Sequence, residues 1–325
     1  MIKETFNSLN TRNNLIFFLV LLVVAIVAPL TIKSNYITST LVYCLTYAAF
    51  GVCWNIIGGY GAQISWCHAA FSAIGAYTSF LCLKHFGISP WMSMFLGMFF
   101  SFIVSTIIGV GSFRLRGPFF SIATIAFAEL IRVLLLYYSK FTGGAGGLSN
   151  TYTGQNVMKL MFDTDKPFYY LMLAALLITV GASYLFSKSK TGYYLSAIKG
   201  DEDAATSLGI DAYKVKLKAF QLSAVLTSFI GTLFGFFLSY IDPTSIAGLE
   251  LSIQMGVVAI IGGLGTLLGP VLGAFVVVPL SEVANNLLGS QAGGSLFLYG
   301  FFLVIMIIFR PQGLIGLFSR RSKNK

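Results

Sequence analysis

Glu129 and Arg132 stand three residues apart inside an otherwise apolar run, so on a helix they share a face and can pair. A lone charge at mid-bilayer costs about 2.5 to 3.5 kcal/mol on insertion scales, and pairing lowers that cost. The pair reads first as a self-neutralising contact facing a helix bundle, and second as a proton or ion site. Gln63, Ser65, His68 and Ser72 form another set, mostly on one helical arc. Such residues suit the lining of a solute path, and equally suit hydrogen bonds to a neighbouring membrane helix. A third set is Asp201, Glu202 and Asp203, followed by Ala204, Ala205 and Gly209. Acidic residues favour a helix start and glycine its end, which predicts short surface helices over about 194–209.

Other chemistries lack their residues. No G-x-x-x-x-G-K-[ST] occurs, and Gly262 to Pro270 is glycine-rich without the lysine, so the chain itself is expected to hydrolyse no ATP. Two histidines, His68 and His85, with no H-E-x-x-H and no G-x-S-x-G, supply neither a zinc protease nor an α/β-hydrolase site. Cys44, Cys53, Cys67 and Cys82 include no C-x-x-C pair and no histidine at metal spacing. They read as small packing residues, and no metal is expected.

The elements that position these residues follow from composition. The chain has 325 residues, 56% hydrophobic and 10% charged, with a mean hydropathy of +0.82. Soluble domains carry roughly 25% charged residues. Too little polar surface exists here to face water, so lipid is the expected solvent. A helix crosses the roughly 30 Å hydrocarbon core in about 20 residues. Apolar runs predict ten spans near 15–32, 36–57, 64–83, 89–113, 118–138, 167–187, 217–240, 251–268, 270–288 and 295–309. The expected fold class is all-α, a polytopic integral membrane protein of about ten transmembrane helices, some interrupted or re-entrant. Residues 1–325 form one transmembrane domain, with no room for a second, soluble one. The third and the last three spans are interrupted by Gly or Pro and read equally as short or re-entrant segments. The first run lacks a cleavage pattern and reads as a retained span.

The net charge of +10 is divided by side rather than gathered on one face. In the ten-span arrangement fifteen of the 21 Lys and Arg fall on one side, five on the other, and Arg132 lies within a span. Positive residues mark the cytoplasmic side, which puts both termini there. The connection 139–166, with Thr142-Gly143-Gly144-Ala145-Gly146-Gly147-Leu148, is then outside. The connection 188–216 and the basic tail 310–325 are inside. The 34 glycines have their own spacing. Gly231 and Gly235, and Gly265, Gly269 and Gly273, recur every four residues, which lets membrane helices approach closely. Gly58-Gly59-Tyr60-Gly61 and Gly262-Gly263-Leu264-Gly265 share the pattern GGxG after an apolar run. Glycines placed so can instead break a helix and open its backbone to a path.

Specific strings narrow the class. Gly59-Tyr60-Gly61-Ala62-Gln63-Ile64-Ser65, then His68-Ala69-Ala70-Phe71 and Gly75-Ala76-Tyr77, resemble the early segment of the permeases of branched-chain amino acid ABC importers, the LivH/LivM group. Leu115-Arg116-Gly117-Pro118-Phe119-Phe120, running on to Glu129 and Arg132, resembles the LivM-type turn, aromatic pair and helix. The stretch 142–148, residues 192–220, Gly262 through Ala274, and Phe309-Arg310-Pro311-Gln312-Gly313-Leu314 follow in that family's order. Asp203-Ala204-Ala205 with Gly209 is similar to the EAA-x-x-x-G signature by which such permeases couple to their ATPases, with Asp for Glu and without its later hydrophobic part. Members often have Leu-Ser-Leu-Gly-His where Ile64-Ser65-Trp66-Cys67-His68 stands, and Arg-Asp or Arg-Glu where Lys199-Gly200 stands.

The resemblance implies a permease domain in a bacterial plasma (inner) membrane, a transport subunit rather than an enzyme. It implies as partners a second homologous permease, two cytoplasmic ABC ATPases and an extracytoplasmic solute-binding protein. ATP and magnesium would bind in the ATPases, with no cofactor in this chain. Branched-chain amino acids are the first expected solute, with urea, short-chain amides or other amino acids as alternatives. An ion-coupled secondary transporter using Glu129 is the rival from another class.

Overall fold

The computed structural model describes residues 25–27, 29–32, 34–115, 117–150, 154–288, 300–301, 304 and 313–316. Most of the expected first and last spans and most of the basic tail lie outside the described residues. Eleven helices carry the fold: α1 (Asn35–Gly58), α2 (His68–Phe86), α3 (Pro90–Ser112), α4 (Pro118–Tyr137), α5 (Lys166–Lys188), α6 (Lys190–Gly200), α7 (Glu202–Ser207), α8 (Ala212–Leu238), α9 (Pro243–Ala247), α10 (Leu249–Gly262) and α11 (Gly269–Leu288). Further short turns lie between α4 and α5.

Local chemistry sets the helix boundaries. Pro90, Pro118 and Pro167 open α3, α4 and α5, where a missing N–H costs nothing. The carboxylates of Asp201, Asp211 and Asp242 cap α7, α8 and α9, accepting from the backbone N–H of Ala204, Lys214 and Thr244. Gly87, at φ 65°, ends α2 in the left-handed region.

Among the described residues five helices are long and apolar enough to cross a membrane: α1, α3, α4, α5 and α8. Helix α10 and the stretch Gly269–Val283 of α11 are apolar but shorter. Three boundaries differ from the sequence expectation. The span expected from 64 starts at His68, because residues 62–67 are held out of the helix: Trp54 Nε1 donates to the Ser65 carbonyl at 2.7 Å, Ser121 Oγ to that of Ile64 at 2.7 Å, and the Trp66 N–H to Thr124 Oγ1 at 3.1 Å. The span expected over 251–268 stops at Gly262 after 14 residues, where the glycine pattern breaks it. The span expected from 217 starts earlier, at Ala212, because Asp211 caps it there.

Helices α1 and α8 form the centre. Of their apolar windows 83% and 67% are buried, against 17% for α4, which lies on the outside. Helix α8 packs on α2 and α3, and α1 on α5, α8, α10 and α11. Small residues let α2 and α8 meet backbone to backbone. A Cβ on Gly231 would lie 2.4 Å from the Ser72 carbonyl oxygen, and one on Gly75 would lie 2.1 Å from that of Ser228.

The bundle has two distinct ends. At one, strand β1 (Leu148–Ser149) pairs antiparallel with β2 (Tyr240–Ile241) and pins the glycine-rich loop to the end of α8. Ser89 Oγ and Trp91 Nε1 donate to the carbonyls of Met158 and Val157 at the same end. At the other end α6 and α7 lie across the ends of α1 and α10.

Candidate coupling junction and solute path

The two GGxG strings, about 200 residues apart in sequence, meet in space. Asn55, buried one turn before the end of α1, joins them: its Nδ2 donates to the Thr266 carbonyl at 2.9 Å and its Oδ1 accepts the Gly265 N–H at 2.9 Å. The approach demands glycine, since a Cβ on Gly59 would lie 1.8 Å from Asn55 Oδ1 and 2.6 Å from the Gly265 nitrogen. Gly263 and Gly265 take φ of 131° and 72°, a turn that side chains disfavour. Backbone groups freed by the break find partners nearby: Thr266 Oγ1 donates to the Gly263 carbonyl at 2.7 Å and accepts the Gly269 N–H at 3.1 Å. From the far end of the chain, the Leu314 N–H donates to the Ile261 carbonyl at 2.9 Å, with Gly313 against Gly263. Gly273 in turn backs α11 onto the Val258 carbonyl of α10.

Helices α6 and α7 are fastened to this junction. Lys199 of α6 donates from Nζ to the Gly59 carbonyl at 2.8 Å, at the negative end of the α1 dipole. Burial there pushes the Lys199 pKa below the usual lysine range. Leu195 packs beside Gly61. Behind α7, Lys216 Nζ pairs with Glu202 at 2.6 Å, and the lysine side chain is only 3% exposed. Ala205 is buried, whereas Asp203, Ala204, Leu208 and Gly209 are exposed, Leu208 by 84%. The acidic, alanine and glycine residues singled out in the sequence therefore divide, Ala205 turning inward and the other three outward. Asn55, Lys216 and Leu208 carried no local signal, and Lys199 stood out only as a departure from the family string.

The polar set on the third span lies mostly inside the bundle. Ser65, His68 and Ser72 are fully buried, and Gln63 is half-buried. Ser223 Oγ donates to the Cys53 carbonyl at 2.6 Å, so His68 Nε2, 2.8 Å from that hydroxyl, is the donor of the pair. Ser72 lies under Gly231, and Gly235 sits beside Ala76 one turn on.

Glu129 and Arg132 are paired, with Nε to Oε2 at 2.9 Å. The pair straddles the edge of the covered face: α4 turns Phe120, Thr124 and Ala128 inward, Arg132 continues that every-four stripe with its side chain 26% exposed, and the carboxylate side chain of Glu129 is 51% exposed. Among the described residues no three His, Cys, Asp or Glu gather as metal ligands.

A helical membrane bundle with broken helices at one end and a helix pair fastened over the break belongs with the transport permeases. The family model described as "Branched-chain amino acid transport system / permease component" matches residues 36–309, and the chain belongs to that family. Proteins named high-affinity branched-chain amino acid transport system permease protein LivM, from Salmonella typhimurium and Escherichia coli, are each 28% identical over 97% of this chain and 78% of theirs. A probable branched-chain amino acid transport permease protein LivH from Methanocaldococcus jannaschii is 24% identical over 78% of this chain and 83% of its own.

Proposed function

We propose that the chain is the LivM-side permease subunit of an ATP-driven importer in a bacterial inner membrane, carrying branched-chain amino acids. It works beside a second permease, above two cytoplasmic ATPases that bind ATP and magnesium, and below an extracytoplasmic solute-binding protein. The observation that carries this reading is the two-sided character of α7. Its outer surface and the residues just after it offer Asp203, Ala204, Leu208 and Gly209, while Glu202–Lys216 ties its back to α8 and the Lys199–Gly59 contact ties the neighbouring α6 to the end of α1.

In this reading the α6–α7 end is cytoplasmic, in keeping with Arg114, Lys188, Lys190, Lys199, Lys214, Lys216 and Lys218 gathered there. An ATPase surface grips the exposed side of α7. Its nucleotide-driven movement passes through Lys199 to Gly59, and through Asn55 to Gly265, shifting α1 against α10. The permease pair then exchanges outward-open for inward-open states, a bias on a two-state element with no bond chemistry in this chain. The test is co-expression of the complex with Asp203→Trp or Gly209→Trp. Uptake and ATPase stimulation are expected to fall while the complex stays assembled, and unaltered values in an intact complex overturn the docking claim. A thermal-shift panel on the neighbouring binding protein separates branched-chain amino acids from urea, short-chain amides and other amino acids.

A further inference from the structure

Glu129 and Arg132 are the twelfth and fifteenth of the 20 residues of α4. At 1.5 Å per residue they lie roughly 17 to 21 Å along a helix of roughly 30 Å, within the hydrocarbon depth. Glu129 points away from the bundle, its side chain 51% exposed, while Arg132 lies at the edge of the covered face at 26%. The outward stripe runs Ile122, Ala126, Glu129, Val133 and Tyr137, all exposed on this chain. Intramembrane charges nearly always face a protein interior or a water-filled cavity. The described residues enclose the Arg132 side chain in part and leave the Glu129 carboxylate half open, so what completes the surroundings of the pair lies beyond the described residues.

The donor inventory says what fits there. Arg132 commits Nε and Nη2 to Glu129, and its Nη1 has no partner among the described residues. The carboxylate keeps lone pairs to spare. The face thus offers a guanidinium edge for a carboxylate and a carboxylate for an ammonium, with no net charge. Exposed Ile122, Leu130, Val133 and Leu134 give it apolar flanks. A zwitterion with an aliphatic side chain complements both features, whereas an uncharged amide leaves the two charges unused.

We propose that the outward face of α4 lines the translocation path shared with the second permease, and that Glu129 and Arg132 transiently hold the α-ammonium and α-carboxylate of an aliphatic amino acid. This deepens the importer reading and rests on it.

The test uses the complete complex with its binding protein in proteoliposomes. ATP-dependent leucine uptake by the wild type is the first arm, and its absence overturns the importer reading itself, before any variant is compared. Given that uptake, Glu129→Gln and Arg132→Gln are each expected to lower it about tenfold or more at subsaturating leucine, because each leaves one charge of the solute or the pair unmatched. Uptake unchanged in both overturns the proposal. The exchange Glu129→Arg with Arg132→Glu keeps a neutral ion pair at the same depth. A structural pair would regain uptake in that variant, which overturns the proposal, whereas a solute site leaves it low although the complex assembles. A further measurement does not depend on removing charge. Val133→Cys in a Cys82→Ser background is expected to react with a membrane-impermeant thiosulfonate, which needs a hydrated thiolate, and to react more slowly with leucine present. No reaction, the behaviour of a lipid-facing thiol, overturns it.

Discussion

Two ion pairs in this chain differ in who encloses them. Glu202 and Lys216, fourteen residues apart, meet at 2.6 Å with the lysine side chain 3% exposed, enclosed by the chain's own helices. Glu129 and Arg132, one turn apart on α4, meet in the middle of an apolar span with the carboxylate side chain 51% exposed; their partners differ little, Arg132 at 26% and Glu202 at 30%, so the contrast rests on Lys216 and Glu129. Breaking an enclosed pair strands a charge inside the fold. An outward pair contributes to whatever arrives beside it. The first belongs to a joint, where Asn55, Lys199 and the glycine breaks find partners within the chain, and the second to a surface that the described residues leave incomplete.

That contrast can be broken by stability measurements on the purified complex. Glu202→Ala leaves the Lys216 ammonium enclosed without its counter-charge, and a loss of about 3–5 kcal/mol is expected, read as a fall in the thermal midpoint. Replacing both residues by Leu and Met should recover most of it. Glu129→Gln leaves Arg132 only partly covered rather than sealed in the fold and should cost less than Glu202→Ala by the same measurement; an equal cost would erase the distinction between the pairs. Next in size is Asn55→Ala, which strands the Thr266 carbonyl and the Gly265 N–H. About 1–3 kcal/mol is expected, with faster hydrogen exchange at the Gly265 amide. Leu208→Ala, at a position 84% exposed, should change stability by less than about 0.5 kcal/mol yet lower solute-stimulated ATPase activity several-fold. The smallest effect is expected for Lys214→Ala. Its pair with Asp211 is at the surface, and neither thermal midpoint nor uptake should move.

Spans bounded by their own sequence were legible from it. The expected 89–113, 118–138 and 167–187 differ by only a residue from Pro90–Ser112, Pro118–Tyr137 and Lys166–Lys188, because a proline opens each and an apolar run fills it. The start of α2 was not legible. Residues 64–67 extend an apolar run by composition, but Trp54, Ser121 and Thr124 hold this stretch out of the helix through contacts from outside it. The junction was hidden for a similar reason: Gly265 lies 210 residues from Asn55 and Gly59 lies 140 from Lys199, so no local period encodes either contact. The pairing of Glu129 with Arg132 follows from their spacing. Its direction does not, because α4 is apolar on several faces and its neighbours decide which face is covered.

The clasp of Leu314 on Ile261, with Gly313 set against Gly263, fixes an order of events during synthesis. Helix α10 enters the membrane some fifty residues before its partner has been made. Until the ribosome delivers residue 314, the Ile261 carbonyl lacks this partner, although Asn55 and Thr266 already hold the groups of the break beside it. A chain that stops short of that point lacks the closing piece of the joint.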